Sequence, residues 1–111
     1  MITDGTMKVV QRGIMKVVPG KMAEAMKLLE EWKAILSRVE GAPTFRGYRR
    51  LSGHGDIMHT LVLEGEWDSF TAMATAFDKM FADPEWKKHM VKWDTILESH
   101  ELEMYTPLPL Y

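Results

Sequence analysis

The stretch Met7–Lys21, MKVVQRGIMKVVPGK, carries the reading on which the fold turns. Val9, Val10, Ile14, Met15, Val17 and Val18 alternate loosely around Gln11, Arg12 and Lys16, and this β-branched run predicts a first strand from Met7 to Val18. Both of its faces hold large apolar groups. Val10, Ile14 and Val18 accompany Arg12 and Lys16 on one, while Val9, Met15 and Val17 accompany Gln11 on the other. Gly13 interrupts the run, and a Gly inside a strand marks a bulge or a close approach by another group. Pro19-Gly20 then punctuates the chain, so the strand gives way to something else at Lys21.

Working outward, Met22, Met26, Leu29, Trp32, Ile35, Leu36 and Val39 recur at helical spacing and predict an amphipathic helix from Lys21 to Glu40, with Gly41 as its stop. Phe45, Tyr48 and Leu51 mark a short second strand, and Ser52-Gly53-His54-Gly55-Asp56 supplies hairpin turn chemistry. A third strand runs from Ile57 to Glu66. Ser69 offers an N-cap to a helix carrying Phe70, Met73, Phe77 and Met80. Asp83 and Pro84 cap and open a third helical segment with Trp86, Met90, Trp93 and Leu97. Leu102 and Met104 alternate with Glu101, Glu103 and Tyr105 in a fourth strand, before Pro107 and Pro109 stop pairing.

The order is βαββαβ with the second helix broken in two: one α+β domain over residues 7–105, an extension over 1–6 and a tail over 106–111. Such an order is ferredoxin-like, a four-stranded antiparallel sheet with its helices on one face. Strand three places Ile57, His59, Leu61 and Leu63 on the expected helix side and Met58, Thr60, Val62, Glu64 and Glu66 on the bare side. The bare side of strand one is apolar as well, so a second copy of the chain is the expected cover, the pair closing into an α/β barrel. Strand one is expected between strands three and four, where Arg12 and Lys16 meet Glu64, Glu101 or Glu103, or stay solvated.

Composition excludes several classes. The 14 basic and 16 acidic residues are interspersed and sum to a net charge of −2, so no basic stripe exists for nucleic acid. The absence of Cys removes disulfides, thiolate metal sites and a Cys nucleophile, and fits a cytoplasmic protein. No signal-like start and no apolar run of about 18 residues implies a membrane.

At three places the chain resembles the dimeric α/β-barrel superfamily, in its NIPSNAP and antibiotic-biosynthesis-monooxygenase-like branches. These are Val18-Pro19-Gly20-Lys21, Glu66-Trp67-Asp68-Ser69 and Ala82-Asp83-Pro84-Glu85-Trp86, within a likeness that spans Lys8 to Tyr105. The resemblance implies a ligand between sheet and helices and an activity of the cofactor-free monooxygenase, haem-degrading or isomerase kind. Haem degraders of the superfamily place an Asn in strand one, a Trp ending strand three and a His on the next helix. Here Trp67 matches, strand one has no Asn, and Phe77 stands near the ligand position, with no His after Trp67 until His89.

Several residues are candidates for chemistry, each with a plainer role beside it. His89, between Trp86 and Trp93 on a helix, is placed to act as a base or to be a buried, hydrogen-bonded histidine. His59 and His100 lie on the helix-side face of strands three and four, and Tyr48 in strand two is a further group for proton transfer or orientation. Trp67, Trp86, Trp93, Phe70 and Phe77, with Phe81, either wall a pocket for an aromatic ligand or fill the core. Ten Met residues give the same layer adaptable filling. Arg46, Arg49 and Arg50 around Tyr48 hold an anion or protect an edge strand. No metal-ligand spacing and no nucleotide fingerprint is present. The expectation is a homodimer that binds, or oxygenates without a cofactor, a small apolar or aromatic compound; the alternatives are a non-catalytic scaffold and a haem-binding protein.

Overall fold

The β-branched stretch that opens the chain becomes β1, Val9–Val17, and it lies inside the sheet with a partner on each side. The computed structural model describes residues 7–108, so the expected extension over 1–6 and Pro109 of the expected tail lie outside the described residues. After β1 come α1 (Met22–Leu36), β2 (Arg46–Arg49), β3 (Thr60–Trp67), α2 (Phe70–Ala82), α3 (Pro84–Lys92), a 3-10 turn (Trp93–Thr95) and β4 (Leu97–Tyr105). The strands are antiparallel in the order β2-β3-β1-β4. This is the ferredoxin-like α+β arrangement expected from the element order.

Strand alternation divides β1 as the sequence indicated. Val9, Gly13, Met15 and Val17 are buried under the helices, while Val10, Arg12, Ile14 and Lys16 are half-buried on the other face. The core is the layer between: Met15, Val17 and Leu61 pack with Ala25, Trp93 and Ile96, and Val9 and Trp67 pack with Met73 and Ala76 of α2. Ser69 caps α2 by accepting from the Ala72 N–H at 3.0 Å, and Asp83 caps α3 by accepting from the Glu85 N–H at 2.8 Å.

Several boundaries differ from expectation. Asp56 accepts hydrogen bonds from the Met58 and His59 N–H groups, and the Thr60 hydroxyl donates to its carbonyl. This bend takes Ile57 and Met58 off the strand path, so β3 begins at Thr60 instead of Ile57, with the His59 carbonyl still accepting from the Val17 N–H of β1 at 2.8 Å. The Ser37 hydroxyl bonds back to the Ala34 carbonyl at 2.6 Å, and α1 ends at Leu36, with turns continuing through Val39 to Gly41 at φ +87°. β2 is shorter than expected, leaving Phe45 and Leu51 outside it. β4 is longer and takes in Leu97, which had been grouped with the third helix. Its polar run Glu98-Ser99-His100-Glu101 hides a strand because it lies at an exposed edge, where no alternation is required.

On the uncovered face Arg12 meets Glu64 of β3 at 2.8 Å and lies over the Tyr105 ring at 5.2 Å, while Lys16 pairs with Glu98 at 3.2 Å. The expected cross-strand pairing of Arg12 with Glu64 is therefore present, and the partner of Lys16 is Glu98. The face is apolar at Val10, Ile14 and Val62 and charged between them, more mixed than the sequence suggested.

Candidate functional site

Between the sheet and the helices lies a cavity of about 470 Å³. Gln11, Gly13 and Met15 of β1, Leu63 of β3 and Ser99, His100 and Leu102 of β4 form its sheet side. Trp32 and Leu36 of α1, Phe77, Met80 and Phe81 of α2, Trp86 and Met90 of α3 and Trp93 of the 3-10 turn form its helix side.

One end is built from aromatic rings whose positions are fixed by two devices. The first is Gly65, where a Cβ would come within 2.8 Å of the Phe45 ring, so only glycine lets that ring rest on β3. Phe45 in turn meets Trp32 edge-on at 4.9 Å between centroids and Trp67 at 6.4 Å, and Trp67 meets Phe77 at 5.7 Å. The second is the Trp67 indole N–H, which donates to the Gln11 side-chain oxygen at 2.8 Å across β1 and β3. The indole is a donor only, so the Gln11 amide must present its oxygen there and keeps its NH2 for another partner.

At the β4 side the imidazole of His100 lies over Gly13. A Cβ on Gly13 would sit 3.3 Å from His100 Nε2, so this glycine makes room for the ring. Of the bulge or close approach that a glycine inside a strand marks, the structure shows the close approach, by His100. Neither ring nitrogen of His100 has a hydrogen-bond partner among the described residues. His100 is exposed on the edge strand, and the partial cover its ring gains against the sheet pushes its pKa below the ordinary histidine value. It stays open on one edge, where exposed Phe81, Met90 and Leu102 rim the cavity mouth.

The residues proposed from sequence divide sharply. Trp67, Trp86, Trp93, Phe77 and His100 all line the cavity. Phe70 does not; it is 55% exposed on the first turn of α2. His89 is fully buried behind the wall, between the rings of Trp86 and Trp93. Its Nε2 accepts from the Trp93 indole at 3.0 Å and its Nδ1 meets Glu31 Oε1 at 3.0 Å, so both nitrogens are occupied in joining α3 to α1. Glu31 also takes the Lys92 ammonium at 2.9 Å, and Lys92 first and then His89 hold its carboxyl below the usual range. His59 sits in the bend before β3 with Nδ1 at 2.9 Å from Asp56, away from the cavity lining. Tyr48 pairs with Val62 on the uncovered face of the sheet. The four candidate proton-transfer groups are thus not brought together: His100 alone of them reaches the cavity, because strand parity sends Tyr48 the other way and helix packing spends both nitrogens of His89.

Gln11, Phe45 and Asp94 line the cavity without having been singled out as site residues. Gln11 carries a signal in retrospect, an amide on the strand face otherwise given to the core. Among the described residues no three His, Asp or Glu side chains gather as metal ligands, and no helix is long and apolar enough to cross a membrane.

No protein-family model and no curated protein matches the chain in sequence. Solved structures do match in shape. A NIPSNAP domain protein from Burkholderia xenovorans superposes with a TM-score of 0.77 at 20% identity, over 93% of this chain and 97% of that one. A NIPSNAP family protein from Agrobacterium tumefaciens gives 0.72 at 19% identity, over 100% and 95%. A second from the same organism, described as of unknown function, gives 0.69 at 17%, over 100% and 97%. With identity at this level the likeness speaks for the backbone arrangement and leaves activity to the site's own geometry. The chain has the α+β, ferredoxin-like fold of the NIPSNAP family structures.

Proposed function

We propose that the chain is a homodimeric small-molecule-binding protein, of the cofactor-independent monooxygenase-like kind, that holds an apolar or aromatic compound between its sheet and helices. The observation that carries this reading is the cavity of about 470 Å³, walled by Trp67, Trp86, Trp93 and Phe77 and open at one side. Pockets for small ligands are of this size, mostly apolar, with a few polar groups that orient the ligand.

Three features support a second copy on the bare face. The accessible surface is 7563 Å², against roughly 6300 Å² for a folded monomer of 12.8 kDa. The molecule is a slab 18 Å thin, with Val10, Ile14, Val62 and Tyr48 on its uncovered side. Its two open edges carry opposite charge, Arg46 and Arg49 on β2 and Glu98, Glu101 and Glu103 on β4.

Binding is tested with Nile red, an uncharged probe that brightens in apolar surroundings. Saturable binding of one probe per chain is expected, and Met90→Trp, which fills the mouth, should weaken it at least about tenfold. Dye that binds Met90→Trp as well as the parent would show that the cavity is not the site, and would leave a non-catalytic assembly role as the better reading.

A further inference from the structure

The cavity's polar groups are few, and they are arranged at one place. Gln11 and Gly13 are next neighbours on the same face of β1, about 7 Å apart along the strand. The first presents an uncommitted amide NH2, since Trp67 takes its oxygen, and the second lies beneath the exposed imidazole of His100, whose nitrogens have no partner among the described residues and are open to solvent or to a ligand. An uncharged imidazole offers one donor and one acceptor, and the amide offers donors only. A group that donates one hydrogen bond and accepts another satisfies both, and a hydroxyl is the smallest such group. Charge argues the same way. Asp94 lines the cavity, and no Lys or Arg does, so an anionic head would meet repulsion without a counter-ion.

Resting on the binding role proposed above, we infer that His100 and Gln11 form the polar end of the site and select an uncharged apolar compound bearing a hydroxyl, which donates to His100 and accepts from Gln11. Gly13 lets the ring lie this close: a Cβ there would stand 3.3 Å from Nε2, so the imidazole would have to shift by a few tenths of an ångström. The partial cover of His100 lowers its pKa, which favours its uncharged, accepting form.

Three probes of one skeleton test the assignment by calorimetry at pH 7: 2-naphthol, its methyl ether 2-methoxynaphthalene, and the anion 2-naphthoate. The parent protein is expected to bind 2-naphthol about tenfold tighter than the ether, the worth of one or two hydrogen bonds, and tighter still than the anion. In His100→Ala the naphthol-to-ether ratio should fall to about one while ether affinity stays within about twofold, a change that loss of packing would not produce. Gly13→Ala should reduce the ratio in the same direction. Equal binding of naphthol and ether by the parent, abolished for both by Met90→Trp, would overturn the hydroxyl assignment and leave the cavity reading standing. Preferential binding of 2-naphthoate lost in His100→Ala would overturn it in favour of an anion site. Failure of all three probes, together with Nile red, would remove the cavity reading and this inference with it.

Discussion

His89 shows how one residue's role is settled by its neighbours. Its spacing from Trp86 and Trp93 fits a helix stripe, and both tryptophans do wall the cavity, yet the imidazole between them is 0% exposed and holds Glu31 and Trp93 at once. It is a positioning residue for the wall. His89→Gln is expected to destabilise the fold by about 2–4 kcal/mol, since it leaves a gap and strands the Trp93 N–H, as read by urea unfolding. Nile red affinity measured below the unfolding transition should change by less than about threefold, whereas a ligand-contacting histidine would cost about tenfold or more. His100 is the converse case. Read from the sequence as a group on the helix side of strand four, it does line the cavity while remaining exposed, through the register that sets it against Met15 of β1.

At the scale of elements, the caps and the strand ends decide how the helices seat on the sheet. Ser69 stands two residues after the Trp67 that closes the cavity's aromatic end, and Asp83 starts the helix that brings Trp86 to the wall. Each cap side chain accepts one N–H that the helix cannot satisfy by itself. Ser69→Ala and Asp83→Ala should each cost about 1 kcal/mol in thermal or urea unfolding. Glycine in the same positions should cost only a few tenths, and equal losses for alanine and glycine would show that the side-chain bonds are not what holds these termini. The caps were legible in the sequence because they are local. The β3 start and the full extent of β4 were not, since one depends on an Asp56 bend and the other on an edge position that only the assembled sheet defines.

At the scale of the whole molecule, the thin slab and its uncovered face are what the proposed dimer rests on. Sedimentation at micromolar concentration is expected to give twice 12.8 kDa. Arg46→Glu with Arg49→Glu should weaken association at least about tenfold at low salt, by making both open edges acidic, and a single-chain mass for the parent protein would end the dimer proposal. Sequence by itself determined the element order, the two-faced character of β1 and the helix starts at Ser69 and Asp83. These follow from periodicity and capping, which act over a few residues. Tertiary structure decided that Gln11 enters the cavity, through a bond to a tryptophan on another strand, and that of the candidates for proton transfer only His100 reaches it, where Gly13 lets its ring lie close. Such meetings join residues far apart in the chain, and their geometry is set by strand register and packing, which no local pattern encodes.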